Sequence, residues 1–196
     1  MPITPSETAG GHSEAPSDAR IPFAELVAAI EAILLNGGFS QEVAHILAWN
    51  HACCERDGAF SHGVFRVPQY IETLRTGYLN GAASPRLEQV SPSYMRIDAG
   101  GGIAQVALAR ARQKIMHAVE EEGVALVAIR HSHHHSALWP DLEPFAESGC
   151  IALTTVTGGV PTVAPVGVHE AVLSTNPFAY AIPVAGAPPL VADFAT

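Results

Sequence analysis

Three polar residues in the first half of the chain have types and a spacing that suit chemistry on a small organic acid. Ser61 and His62 are adjacent, and Arg66 follows four positions after His62. Residues four apart lie on one face of a helical turn, so His62 and Arg66 can point the same way. An imidazole exchanges a proton near neutral pH, and a guanidinium binds a carboxylate through two hydrogen bonds. The set therefore suits a 2-keto, 2-hydroxy or 2-imino acid.

A structural interpretation of the same three residues also holds. Ser61 can cap a helix, Arg66 can be solvated, and His62 can simply pack against its neighbours. Spacing alone favours this interpretation, because such triplets arise readily by chance. Asp193 adds a further observation, since a carboxylate on an apolar strand is costly to bury without a cation or imidazole. His62 is a candidate partner, as in enzymes where a carboxylate orients an imidazole.

The segment "RHSHHHSALWP", from Arg130 to Pro140, is rich in histidine and follows an apolar strand. Ligands of α/β sheets bind beyond the carboxyl ends of strands. In an extended segment, His131, His133 and His135 would share one face, with His134 on the other. A metal cage, a pH switch, a catalytic acid, a cofactor cradle and a polar loop all remain open. Of these alternatives the metal cage is the one that we do not predict, because no cysteine partner or HExxH motif lies nearby.

Two further segments bear on cofactor binding. The turn "STNP", from Ser174 to Pro177, groups small donors that could hold a phosphate or an amide. The run "GGG" at 100–102 lies between a predicted strand and a predicted helix, as in a dinucleotide-binding turn. Gln105, however, occupies the position where that fingerprint needs a third glycine. Any nicotinamide cofactor would therefore be held without the usual fingerprint.

Composition excludes several classes of partner. The net charge is −9, with only 10 Lys and Arg residues and no basic stripe, so we predict no nucleic-acid binding. No apolar run is long enough to span a membrane, so we expect no membrane partner. The three cysteines form no disulfide framework, which favours a reducing, cytoplasmic compartment. Residues 1–20 are rich in Pro, Ser, Gly and Glu and are predicted to be a disordered arm.

Apolar periodicity defines the rest of the organisation. Residues 21–84 contain three helical patterns and are predicted to form a small N-terminal helical subdomain. Residues 85–196 alternate strands and helices, which predicts an α/β domain with helices on the faces of a sheet. The strands after Gly123 and Gly149 are apolar enough to be buried on both faces. Since the chain ends on the apolar strand "LVADFAT", we expect the α/β domain to be incomplete, or truncated, at its C-terminus.

Several separate motifs resemble one known family. The segments "RDGAFSHGVFRVPQYIETLRTGYLNG", "HSHHHSALWPDLEPFAESG", "LSTNPFAYAIP" and "VADFAT" are similar to those of the malate/L-lactate dehydrogenase-like oxidoreductases. The resemblance implies a non-Rossmann α/β cofactor domain, and NADPH as cofactor with NAD possible. It also implies a homodimer. The histidine-rich segment resembles the branch that reduces cyclic imino acids.

In that branch, hydride adds to C2 of Δ1-piperideine-2-carboxylate or Δ1-pyrroline-2-carboxylate, giving L-pipecolate or L-proline. Three alternatives stay open. One is an NAD-dependent 2-hydroxy-acid dehydrogenase, the second is an inactive fragment of such an enzyme, and the third is a histidine-rich metal-binding domain without enzymatic activity.

The resemblance also implies residue roles. The catalytic residues would be Ser61, His62 and Asp193, with His62 donating a proton and Asp193 paired with it. The substrate-binding residues would be Arg66, Thr162, Asp193 and Phe194. The cofactor-binding residues would be His134, His135, Ser136, Ala137, Leu138, Thr175 and Asn176. The chain departs from the family at His135, usually phenylalanine, and at Ser136, usually alanine or glycine, so the pocket's polarity changes.

Overall fold

The computed structural model describes residues 20–195, so the predicted arm at 1–20 lies outside the described residues except for Arg20. The first part of the chain is helical, as predicted. It comprises three α-helices and two short 3₁₀ turns: α1 (Phe23–Asn36), α2 (Gln41–Arg56), the turns Phe60–His62 and Val64–Arg66, and α3 (Val67–Arg75).

Local signals fix where these helices begin. The hydroxyl of Ser40 accepts the backbone N–H of Val43 at 3.4 Å, so Ser40 is the N-cap of α2 as predicted. Pro68 lies in the first turn of α3, where its missing N–H leaves no helical hydrogen bond unmade. This second prediction is also confirmed.

The α/β part begins with a three-stranded sheet. It contains β1 (Arg86–Ser91), β2 (Tyr94–Ile103) and β3 (Leu126–His133), in that spatial order, with α4 (Ala104–Glu122) between β2 and β3. β1 runs antiparallel to β2, and β3 runs parallel to it. Gly123 ends α4 in the left-handed conformation at φ 74°, a position that favours glycine.

A second sheet follows α5 (Trp139–Glu147). Its strands are β4 (Ala152–Thr155), β5 (Phe178–Val184) and β6 (Ala187–Phe194), paired antiparallel in chain order. The alternation of elements predicted one sheet, whereas the described residues form two. The reason is that residues 156–177 return the chain antiparallel to β4, so β4 pairs with the β5–β6 hairpin instead of extending the first sheet.

Two local predictions are wrong. The "GGG" run is not a loop but lies within β2, where the pairing with β3 is interrupted between Asp98 and Gly102. The strands predicted to be buried on both faces are exposed on one: Leu126 is 63% exposed and Leu153 is 64% exposed. Successive side chains point to opposite faces of a sheet, and among residues 20–195 only one face of each of these two strands is covered.

Three apolar clusters hold these elements together. The first joins the helices to the α/β part, because Ile103 and Val106 pack with Ile30, Leu47 and Tyr70. The second lies between β2 and α4. The third packs α5 against β5, with Leu138 and Leu142 as members. The division into units at 84/85 stays a prediction, since the first cluster contains residues from both sides.

Candidate active site

The Ser61–Arg66 segment is built from two 3₁₀ turns separated by Gly63. The Ser61 hydroxyl lies 3.0 Å from Nδ1 of His62, and Nε of Arg66 donates to the Ser61 carbonyl at 2.8 Å. The break at Gly63 means that Arg66 is brought back by this hydrogen bond and not by one continuous helical face. The structure therefore brings the three predicted residues together.

Glu55 explains the glycine between the two turns. Its Oε1 accepts the backbone N–H of Val64 at 2.7 Å. A Cβ atom at position 63 would collide with the carboxylate of Glu55. Only glycine therefore leaves room for the interaction that holds the second turn against α2.

His62 is half-buried, and its surroundings favour the neutral imidazole. Burial lowers the pKa of His62, and the positive charge of Arg66 lowers this pKa further, with a smaller lowering from His134 when that ring is protonated. The carboxylate of Asp193 acts in the opposite direction and raises it. An anion bound to Arg66 would offset part of the repulsion between Arg66 and the protonated imidazole. The pKa of His62 would then rise, and His62 would more readily carry the proton that it donates.

Asp193 acts on two features at once. Its Oδ2 accepts the backbone N–H of Leu138 at 2.6 Å and that of Trp139 at 3.2 Å. These are N–H groups at the start of α5, so β6 supplies the cap that the helix needs. The same carboxylate raises the pKa of His62, so the predicted interaction of Asp193 with His62 is electrostatic here.

The histidine run does not keep the alternation of an extended segment. His131 has φ 51°, a left-handed conformation, and its Nδ1 lies 3.1 Å from Oδ1 of Asp98. The predicted face shared by His131, His133 and His135 is therefore wrong for His131. The ring of His133 instead packs edge-on against Tyr78, with ring centroids 4.8 Å apart, and lies tilted beside His135, with centroids 6.2 Å apart.

A chain of hydrogen bonds, which we call the polar chain, links His134 to His62. His134 Nε2 lies 2.8 Å from Oδ2 of Asp141, whose Oδ1 accepts from Nδ2 of Asn50 at 3.0 Å. The Ser136 hydroxyl donates to Oδ1 of Asn50 and lies 3.2 Å from the backbone carbonyl of His62. The predicted cofactor segment, 134–138, is thus hydrogen-bonded to the backbone of the predicted proton donor, His62.

Two buried aromatic side chains hydrogen-bond to the backbone at the two ends of the polar chain. His51 is fully buried, and its Nδ1 donates to the His62 carbonyl at 2.9 Å, since a carbonyl only accepts. Burial lowers the pKa of His51 to about 4. The hydroxyl of Tyr70, also fully buried, accepts the backbone N–H of His135 at 2.8 Å.

Sequence reasoning missed four residues of this site: Asn50, His51, Tyr70 and Asp141. A signal for two of them was present. Asn50 and His51 follow Leu47 three and four positions later and lie between it and Cys54, so they interrupt the apolar side of α2. Polar groups buried on a helix need partners, which marks such positions as candidates for a network.

The remaining predicted residues belong to the second sheet and its long loop. Thr162 is exposed, and its backbone N–H donates to the Leu173 carbonyl at 2.8 Å. Thr175 and Asn176 precede β5. Phe194 is 58% exposed and packs edge-on against Phe178 at 5.7 Å. The roles predicted for these residues stay predictions.

Among residues 20–195, no group of three or more His, Cys, Asp or Glu side chains is placed to hold a metal ion. Ala137 and Leu138 of the predicted cofactor segment are both buried, and Leu138 belongs to the third apolar cluster. None of the helices within this described range is long and apolar enough to cross a bilayer.

Comparison with known proteins identifies the same family that the sequence motifs resemble. The malate/L-lactate dehydrogenase family model matches residues 21–196. A Δ1-pyrroline-2-carboxylate/Δ1-piperideine-2-carboxylate reductase from Pseudomonas putida is 47% identical over 177 residues, covering 90% of this chain and 52% of that protein.

Solved structures agree. The crystal structure of Δ1-piperideine-2-carboxylate reductase from Pseudomonas syringae pv. tomato superimposes with a TM-score of 0.83 at 42% identity, covering 91% of this chain and 54% of that one. Malate dehydrogenase from Pyrococcus horikoshii OT3 also gives 0.83, at 32% identity, with 91% and 51% covered. The chain spans about half the length of the relatives it matches.

Proposed function

Because this chain belongs to the malate/L-lactate dehydrogenase family, we propose that it forms the proton-donating part of an NADPH-dependent reductase of cyclic imino acids. The substrates are Δ1-piperideine-2-carboxylate and Δ1-pyrroline-2-carboxylate, and the products are L-pipecolate and L-proline. Similarity favours imine reduction over 2-hydroxy-acid oxidation, because the relatives at 47% and 43% identity carry the reductase name, whereas a malate dehydrogenase is 33% identical.

One observation supports this proposal most directly. The polar chain joins the 134–138 segment to the backbone carbonyl of His62, with Ser136 lying 3.2 Å from that carbonyl. A hydride-transfer enzyme needs its cofactor and its proton donor at a fixed separation. Hydrogen bonds among buried and half-buried side chains would hold the 134–138 segment and the backbone of His62 in this way.

The chemistry assigns one role to each group. Arg66 binds the substrate carboxylate, while its Nε stays anchored to the Ser61 carbonyl. His62 gives its proton to the imine nitrogen as C2 accepts hydride, so the C=N double bond becomes a C–N single bond carrying one new C–H and one new N–H. Asp193 favours the protonated imidazole before transfer, because its charge raises the pKa of His62.

The residues at the 134–138 segment fit a nicotinamide. The half-buried ring of His135 offers a flat surface for stacking. Its Nε2 is buried and has no hydrogen-bond partner among residues 20–195, so a small rotation of the ring toward a bound carboxamide would give this nitrogen a partner. His134, His135 and the turn at Thr175 and Asn176 would hold the cofactor, which supplies hydride when bound.

The cellular setting is part of the proposal. We place the enzyme in the cytoplasm as a homodimer and assign NADPH in preference to NADH. Exposed apolar side chains in and beside the second sheet, among them Ile151, Leu153 and Leu190, provide a surface that a partner subunit can cover.

NADPH oxidation is followed with Δ1-piperideine-2-carboxylate, and the product is resolved on a chiral column. We expect L-pipecolate, slower turnover with NADH, and a loss of about 100-fold or more in His62→Ala. Turnover of malate or lactate with NAD, without imine reduction, would replace the proposal with a 2-hydroxy-acid dehydrogenase. An Arg75→Gln variant, on the exposed end of α3, serves as control.

A further inference from the structure

Asn50 is the central member of the polar chain. It is 2% exposed and lies on α2, outside the segments that suggested chemistry from sequence. Its two amide atoms face different partners, with Nδ2 on Asp141 and Oδ1 on the Ser136 hydroxyl. A side-chain amide is suited to this position because it offers a donor and an acceptor together.

The orientation of this amide is fixed by its neighbours. The Asp141 carboxylate accepts hydrogen bonds only, so it must face Nδ2 of Asn50. Its other oxygen lies 2.8 Å from Nε2 of His134, which selects the His134 tautomer with hydrogen on Nε2. Asn50 therefore helps to orient His134 without touching it.

The other arm reaches the proton donor. Ser136 has one hydroxyl hydrogen, which the Asn50 amide and the His62 carbonyl share. That carbonyl also receives the N–H of His51. The backbone at His62 is thus held by α2 directly and by the 134–138 segment through Ser136.

Resting on the function proposed above, we propose that Asn50 is a positioning residue that sets the cofactor segment, 134–138, in register with His62. It acts through Asp141 and Ser136 and contacts neither substrate nor cofactor. A small misplacement of reacting groups costs about 100-fold in rate, so loss of Asn50 lowers kcat far more than it weakens substrate binding at Arg66.

Exchanging the amide at position 50 with the carboxylate at position 141 tests whether Asn50 acts through Asp141. In Asn50→Asp, two carboxylates face each other with no hydrogen between them, so we expect kcat to fall about 10- to 100-fold with little change in the imine KM. The double variant Asn50→Asp/Asp141→Asn restores complementarity. The new amide donates to residue 50 and still accepts from His134, and Ser136 donates to the new carboxylate. We expect it to recover most of the lost kcat.

Cys53→Ala is the matched control, because Cys53 is buried on the same helix three residues further along. It should lower the melting temperature and leave kcat unchanged. Should Asn50→Asp not fold, Asn50→Ala removes both hydrogen bonds without adding charge and should show the same split between kcat and KM. Asp141→Asn is measured alone as well, and a loss of kcat in the double variant equal to the product of the losses in Asn50→Asp and Asp141→Asn would overturn the proposal.

The same set of proteins separates this proposal from the proposed function. NADPH affinity, measured by fluorescence titration, depends on the 134–138 segment and not on which substrate is reduced. We expect weaker NADPH binding in Asn50→Asp and recovery in the double variant, even in the event that the unmodified enzyme reduces no imine. Equal NADPH affinity in the unmodified protein, Asn50→Asp, Asp141→Asn and the double variant would refute the role of Asn50.

Discussion

The carboxylate of Asp193 accepts the backbone N–H of Leu138 at 2.6 Å, which ties the end of β6 to the start of α5. The next N–H, that of Trp139, lies 3.2 Å from the same oxygen, and Pro140 has none to offer. Asp193 therefore stabilises the fold and also influences the pKa of His62. The two contributions can be separated, because an amide can replace the first but not the second.

Replacement of Asp193 by asparagine should affect activity more than stability. The Asn oxygen still accepts the Leu138 N–H, so the melting temperature should change little. The pKa of His62 should fall further because a favourable negative charge is gone. Asp193→Ala should lose about 1 kcal/mol of stability in addition. Thermal melts with pH profiles of kcat/KM check both effects, with exposed Glu88→Gln as control. An unaltered pH profile in Asp193→Asn would contradict this prediction.

Removing the charge of Arg66 should move the titration of His62 upward. Burial and the Arg66 guanidinium both lower the pKa of His62, and Arg66→Gln abolishes only the second effect. NMR titration of the His62 ring should therefore show a pKa closer to the ordinary histidine value. Arg75→Gln, whose guanidinium pairs with Glu72, should leave the titration as it was. A downward shift in Arg66→Gln would show that repulsion by Arg66 does not act on His62.

Burial of His51 should make the fold sensitive to acid. Its folded pKa of about 4 lies below the ordinary value of 6.5, so the folded protein binds this proton less readily than the unfolded chain. The contribution of neutral His51 to the free energy of unfolding is fully present above about pH 6.5 and is lost as the pH falls toward 4. The loss between about pH 7 and about pH 5 amounts to about 2 kcal/mol.

Denaturant unfolding at the two pH values measures this effect. His51→Asn keeps an N–H for the His62 carbonyl but cannot titrate, so its pH dependence should be smaller by that amount. His117→Asn, at an exposed position on α4, should behave like the unmodified protein. Identical pH dependence in His51→Asn would contradict the prediction.

The three cysteines should differ in reactivity. Cys53 and Cys54 are fully buried, and burial raises the pKa of Cys53 to about 12 and also raises the pKa of Cys54. Because the thiolate is the reactive form, both should resist iodoacetamide at neutral pH. Cys150 is partly exposed and should react first. Mass spectrometry before and after unfolding checks this order, and early labelling of Cys53 would argue against the packing of α2.

Sequence patterns predicted the parts of this fold that depend on local physics. Helix starts at Ser40 and Pro68 follow from capping and from the missing proline N–H, and both were predicted. The conformation of His131 was not, because a left-handed residue next to Asp98 depends on contacts made across the sheet. The pairing of β4 with β5 was missed for the same reason, since the irregular residues 156–177 lie between them.

The candidate site shows the same limit. Ser61, His62 and Arg66 are close in sequence, and their types suggested proton transfer and carboxylate binding. Asp141 lies 91 positions from Asn50, and Ser136 lies 86 positions from it. Such pairs become visible only when α2 packs beneath the 134–138 segment.

The polar chain also has a mechanical consequence. Its hydrogen bonds connect α2 to the loop between β3 and α5. The Tyr70 hydroxyl on α3 adds a second connection, because it accepts the backbone N–H of His135. Separating the helical part from this loop would break these hydrogen bonds and would also expose the side chains of the first apolar cluster to water. We therefore expect the predicted proton donor and the 134–138 segment to keep their relative position while substrate enters and product leaves.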